Sequence, residues 1–101
     1  MKYSHPVYSL VHAAGTTNIT TAGIEIAQSS VVQSGKMYVA NSTGQAIQIL
    51  FHDSGGNDAV LTVLAGTQRE CDITISEKQS IYAKAIGANA TTGHLCIELF
   101  R

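Results

Sequence analysis

Apolar and polar residues alternate along this chain with a period of two, the spacing that puts successive side chains on opposite faces of a strand. In the last segment Leu95, Ile97 and Leu99 share one face, and Cys96, Glu98 and Phe100 share the other. Ile81, Ala83 and Ala85 oppose Tyr82, Lys84 and Ile86 in the same way, as Cys71, Ile73 and Ile75 oppose Asp72, Thr74 and Ser76. Ile47, Ile49 and Phe51 alternate with Gln48, Leu50 and His52. No window carries apolar residues at i, i+3, i+4 and i+7 over three turns, so no amphipathic helix is predicted. Gly and small polar residues at 41–44, 53–58, 65–67, 77–79 and 87–93 separate the runs.

This pattern predicts strands at 6–13, 18–27, 30–34, 36–41, 45–52, 58–64, 70–76, 79–86 and 94–100, with the run at 30–34 merging into a neighbour or disappearing. Seven to eight strands with a turn every eight to twelve residues predict an all-β, antiparallel β-sandwich or jelly-roll-like domain. Pro6 cannot donate a ladder hydrogen bond. Residues 1–15 are therefore expected to form an edge strand or an N-terminal arm, with the sandwich domain over 16–101. An arm bearing Val7, Tyr8, Leu10 and Val11 would need another chain to cover it.

Composition agrees with the strand reading. Ten Ile, seven Val and ten Thr make more than a quarter of the 101 residues β-branched. The length allows one domain and one core. Six basic against seven acidic residues leave a net charge of −1, which removes the long-range attraction that nucleic acid or an anionic membrane surface relies on. No apolar run is long enough for a spanning helix or a signal-peptide core, so a cytoplasmic setting is expected. Two cysteines, Cys71 and Cys96, are too few for a disulfide scaffold and differ in parity; both are expected to be small apolar residues with unperturbed thiols. The Asn-x-Ser/Thr triplets at Asn18, Asn41 and Asn89 are expected to serve as turn chemistry.

The catalytic and ligand motifs all fail on spacing. No Ser lies in a G-x-S-x-G turn. Gly35-Lys36 has Ser30 where a phosphate loop needs Gly and Met37 where it needs Ser or Thr. His5, His12, His52 and His94 have no ligand partner two to four residues away. His52-Asp53-Ser54-Gly55-Gly56-Asn57-Asp58 offers oxygen donors for Ca²⁺, but its spacing is that of a polar hairpin turn. Glu70 and Asp72 share a face and are read as solvated surface. No catalytic residue, metal or cofactor is expected.

Only 13% of residues are charged, about half the usual fraction. Leu61, Val63, Leu50, Tyr38, Ile86 and Phe100 moreover fall on the second face of strands whose first face is already apolar. Either that outer surface is covered by other subunits, or bulges switch the parity within these strands.

The closing segment Ser80-Ile81-Tyr82-Ala83-Lys84-Ala85-Ile86-Gly87-Ala88-Asn89-Ala90-Thr91-Thr92-Gly93-His94-Leu95-Cys96-Ile97 resembles the C-terminal hairpin of small virion proteins of tailed bacteriophages. There an "I-x-x-K-A-x" strand, a Gly/Ala/Asn/Thr turn and a "G-x-L-x-I" strand follow one another. His5-Pro6-Val7-Tyr8-Ser9-Leu10-Val11 and Lys36-Met37-Tyr38-Val39-Ala40-Asn41-Ser42-Thr43-Gly44 are similar to the opening and middle of the same proteins. The resemblance implies a non-enzymatic capsid decoration, or cement, protein that is made in the bacterial cytoplasm and binds the major capsid protein on the phage head surface. It would assemble as a homo-oligomer, a trimer or a dimer. The implied contact residues are Tyr3, Val7, Tyr8 and Leu10 toward shell or subunit, with Tyr82 and Phe100 as oligomer anchors, since aromatics often dominate such interfaces. The alternative is a head- or tail-fibre module that binds host-surface carbohydrate or receptor.

Overall fold

The computed structural model describes residues 6–28, 33–53, 56–75 and 80–100, and the side chains within 9–27, 35–51, 59–74 and 80–100. Eight strands build two four-stranded antiparallel sheets: β1 (Pro6–Ala13), β2 (Ile24–Gln28), β3 (Gln33–Asn41), β4 (Ile47–Asp53), β5 (Gly56–Val63), β6 (Gln68–Ile75), β7 (Ser80–Ala85) and β8 (His94–Phe100). One sheet has the order β1-β8-β3-β6 and the other β2-β7-β4-β5. First strand pairs with last, second with seventh, third with sixth and fourth with fifth. The chain is thus a long nested hairpin folded over into two layers. Among the described residues there is no helix, and the molecule measures 33 × 32 × 20 Å.

The core fills the gap between the layers with the inward parity of each strand. Met37 and Val39 of β3, Ile47, Ile49 and Phe51 of β4, Ile81 and Ala83 of β7, and Leu95, Ile97 and Leu99 of β8 are all buried. At about 25 cal/mol per Å² of apolar surface removed from water, each large side chain contributes on the order of 1.5–3 kcal/mol. β-branched residues suit these positions because the pleat accepts their stiff side chains without rotamer loss.

Three departures from the sequence pattern have local causes. The run predicted at 18–27 is cut to Ile24–Gln28 by the turn ahead of it. There Gly23 takes φ 95° and donates its amide to the Thr20 carbonyl, while Ile19 makes an isolated bridge with Ala90. The predicted 36–41 strand starts earlier, at Gln33, because its whole length pairs with β6. In the β4–β5 ladder Ile49 faces Leu61 but Leu50 faces Ala59, which leaves Val60 as an extra residue on β5. That bulge turns Leu61 and Val63 into the core, where both are buried, and corrects their assignment to an outer face.

Pro6–Ala13 is an edge strand that pairs with β8 alone, with a register shift between Pro6 and Tyr8. Residues 1–5, and with them Tyr3 and His5, lie outside the described residues. Residues 54–55 and 76–79 also lie outside them, as do the side chains from His52 to Asp58, where the sequence offers oxygen donors.

One end of the sandwich is closed by a polar knot. Asn41, 1% exposed, ends β3. Its Nδ2 donates to the carbonyls of Gln45 (2.8 Å) and Val63 (2.9 Å). Its Oδ1 accepts from the Thr43 amide (2.9 Å) and the Thr43 hydroxyl (2.6 Å). The Asn41 backbone amide donates to Thr67 O, and its carbonyl accepts from Gly66 N, both at 2.9 Å. A single side chain therefore ties the β3–β4 loop to the end of β5, and every donor and acceptor it brings inside is used. The other two triplets differ: Asn18 and Asn89 are exposed, and Asn89 accepts a bond from the Thr21 amide at 3.0 Å.

Candidate functional site

In an antiparallel ladder, directly paired residues lie on the same face. The registers of β3 with β6 and β8 therefore lay out the outer face of the first sheet as rows. One row is Glu98, Tyr38, Glu70; the next is Phe100, Lys36, Asp72. Lys36, Tyr38, Glu70, Glu98 and Phe100 line a depression of about 230 Å³ on this face. Pockets for drug-sized ligands start near about 300 Å³. This one has room for a single side chain.

Its electrostatics are uneven. Lys36 Nζ lies 3.7 Å from Glu70 Oε1 and its residue sits directly opposite Asp72 in the ladder, so the one cation is held on the β6 side. Glu98 belongs to β8, on the far side of Tyr38. Among the described residues the Lys36–Glu70 contact is the sole ion pair, and Glu98 has no cation partner among them. Tyr38 donates its hydroxyl to Gln68 Oε1 at 3.0 Å, which fixes the ring toward β6. Glu98 and Phe100 are half-buried because β8 is an inner strand, flanked by β1 and β3.

The outer face of the second sheet is different. One row runs Glu25, Tyr82, Leu50, Ala59 across all four strands, and the next runs Lys84, Gln48, Thr62. Ser80 donates its hydroxyl to Glu25 Oε2 at 2.7 Å, which occupies that carboxylate at the margin. Beyond the Lys84 row, at the strand ends, Ile86 is 45% exposed and Leu64 62% exposed. Glu25 and Lys84 are the charged residues of those two rows.

The contact residues expected from the sequence are thereby separated. Phe100 lies on the outer face of the first sheet and Tyr82 on that of the second, so no single flat contact holds both. Leu10 is directed inward, half-buried and packed against the core; it serves the fold before any partner. Val7 and Tyr8 belong to β1, but their side chains lie outside the described residues, and Tyr3 lies outside them altogether.

The remaining candidates are placed as follows. His12 contacts the Thr17 carbonyl through Nε2 at 2.8 Å, and His94 is exposed at the start of β8. No group of three His, Cys, Asp or Glu among the described residues could hold a metal ion. Cys71 and Cys96 are both free, on opposite faces of their sheet. Burial pushes the Cys71 thiol upward in pKa against the lowering effect of Arg69, with Asp72 raising it and Lys36 lowering it. That corrects the expectation of an unperturbed thiol at this position: Cys71 packs beside the core and desolvates its charged form.

Glu98 and Lys36 were missed as a functional pair in the sequence. Strand parity does place Lys36 with Tyr38 and Glu98 with Phe100, but only the insertion of β8 next to β3 joins the two pairs. No protein family, curated protein or solved structure matches this chain.

Proposed function

We propose that this chain is a non-enzymatic capsid decoration protein of a tailed bacteriophage, which binds the major capsid protein on the head surface and reinforces the shell. The observation that carries this reading is the outer face of the β2-β7-β4-β5 sheet. A sheet face in water normally alternates with polar and charged side chains. Here Tyr82, Leu50 and Ala59 form an unbroken apolar strip across three strands with Glu25 at its β2 end, and the exposed Ile86 stands on the same face beyond Lys84. Such a strip is the composition of an interface core, where charge is depleted and aromatics are enriched.

The winding supports the same reading. Nested pairing of eight strands in the orders β1-β8-β3-β6 and β2-β7-β4-β5 favours the jelly-roll form of the sandwich, an architecture used in viral capsid and lectin domains. Because the molecule is a slab 20 Å thin, its two outer faces point in opposite directions. A homo-oligomer closed about an axis uses one self-complementary patch, which leaves the other face for the shell. The mechanism is mass action: a ligand that binds only the assembled lattice raises its stability by RT ln(1 + [L]/Kd).

The test is titration of purified protein onto expanded phage shells, read by co-sedimentation and by the melting temperature of the shell. Saturable binding with a rise in that temperature is expected. Leu50→Lys together with Ile86→Lys should abolish binding while the isolated protein stays folded. Shells that melt identically with and without the protein would overturn the reading.

A further inference from the structure

We propose that the depression on the outer face of the β1-β8-β3-β6 sheet binds the guanidinium group of an arginine presented by a partner protein. The inference does not depend on the shell reading, which uses the opposite face of the slab.

The argument starts from charge. Of the lining residues, Glu70 and Glu98 carry two negative charges and Lys36 one positive, a balance of −1, and Asp72 beside Lys36 makes it −2. Lys36 is held by Glu70 at 3.7 Å, so among the described residues Glu98 is the lining carboxylate with no cation partner. It stands between Tyr38 on β3 and Ser9 on β1, with Phe100 two residues along its own strand and on the same face. A half-buried carboxylate in a depression that Tyr38 and Phe100 also line matches a planar cation, which donates N–H bonds to the carboxylate while its face lies against a ring. Arginine meets this better than lysine, because a guanidinium is planar, is weakly hydrated and carries five donors in a fixed fork.

Size and place agree with that occupant. A volume of about 230 Å³ is small for a free ligand of ordinary size but suits one inserted side chain. The site also lies on a sheet face rather than in a cleft, so whatever fills it has to be carried on an opposing surface. Of the chain's two arginines, Arg69 is engaged elsewhere, donating through Nη1 to the Thr62 carbonyl at 3.0 Å, and Arg101 lies outside the described residues.

The test uses the full chain, labelled with ¹⁵N, and N-acetyl-arginine methylamide as the probe. Saturable amide shifts centred on Lys36, Tyr38, Glu98 and Phe100 are expected, with a Kd on the order of 1 mM for an isolated side chain. The citrulline analogue, neutral but of the same shape, should bind at least about tenfold more weakly, and the lysine analogue severalfold more weakly. Raising NaCl from about 50 to about 300 mM should weaken the arginine probe, since the site is partly open to solvent. Glu98→Gln should lower its affinity about tenfold with the rest of the spectrum unmoved. Phe100→Leu should lower it severalfold, and the Glu98→Gln and salt results decide the matter if that variant misfolds.

The proposal is overturned if the arginine probe leaves these amides unmoved, if citrulline binds equally well, or if Glu98→Gln changes nothing. Hexoses that shift the same amides where arginine does not would overturn it in favour of a carbohydrate site. The two readings fail separately. Shell binding by a protein whose amides ignore the arginine probe would refute the arginine site and leave the shell reading standing. Saturable probe binding by a protein that ignores shells would do the reverse.

Discussion

Replacing Asn41 with Ala removes the side chain that closes one end of the sandwich. Four hydrogen bonds go with it: to Gln45 O at 2.8 Å, to Val63 O at 2.9 Å, from Thr43 N at 2.9 Å and from Thr43 Oγ1 at 2.6 Å. A net value of about 1 kcal/mol per bond gives about 4 kcal/mol. A second route reaches a similar figure. The Val63 carbonyl and the Thr43 amide are buried at this point, and leaving each without a partner costs about 1–3 kcal/mol. The expected loss is therefore about 3–5 kcal/mol, a large part of the roughly 5–15 kcal/mol that a domain of this kind possesses. At about 4–8 °C per kcal/mol, the melting temperature should fall by roughly 12–40 °C.

Urea unfolding followed by far-UV circular dichroism measures this directly, with tyrosine fluorescence as a second probe because the chain has no Trp and four Tyr. Asn18→Ala is the control, since Asn18 is exposed; surface changes of this kind stay within about 0.5 kcal/mol. Thr43→Val should cost about 1–2 kcal/mol by itself, and the double variant should cost less than the sum, because both side chains belong to one network. A loss below about 1 kcal/mol for Asn41→Ala would refute the reasoning, as it would mean that water replaces the side chain at the knot.

Other expectations follow from the same geometry. Gly93 has φ 84°, and a Cβ there would meet the Ser42 carbonyl, with Ser42 C and Thr43 Cα both at 2.9 Å; Gly93→Ala should prevent stable folding in a thermal melt. Gly87, with φ 92° and nothing within 4 Å of an added Cβ, should tolerate Ala at about 1–2 kcal/mol, the cost of the left-handed backbone alone, and equal melting temperatures for the two variants would refute the distinction. Ile97→Ala, at a position 0% exposed, should lower the unfolding free energy by about 2–5 kcal/mol, measured by urea titration. Burial raises the Cys71 pKa, so folding favours the protonated thiol. Its contribution is fully present below the unfolded thiol's value of about 8.5 and fades as pH rises through the higher folded value. Alkylation followed by mass spectrometry at about pH 8.5 should modify Cys71 more slowly in folded than in unfolded protein, and equal rates would contradict the desolvation argument.

Period-two alternation was enough to specify a two-layer β domain and most of its core. Leu95, Ile97 and Leu99 are buried in the order their spacing predicts, as are Ile47, Ile49 and Phe51. That information is local: a residue's face depends on its neighbours two positions away, and the hydrophobic effect selects the apolar face as the inner one. The triplets at Asn41 and Asn89 were also legible as turn chemistry, although nothing in the sequence marked Asn41 as the buried one of the three. Its partners Val63 and Thr67 come from a different hairpin.

Strand order, register and bulges belong to the tertiary structure, because they depend on which ladders close over long stretches of chain. The extra residue at Val60 reverses the faces of Leu61 and Val63 relative to β4, an effect invisible to parity within β5 itself. The same long-range pairing sets Glu98 and Phe100 beside Lys36 and Tyr38, and sends Tyr82 to the opposite surface. Alternation along a strand decides what is hidden from water. Only the pairing of strands decides which of the outward side chains stand together.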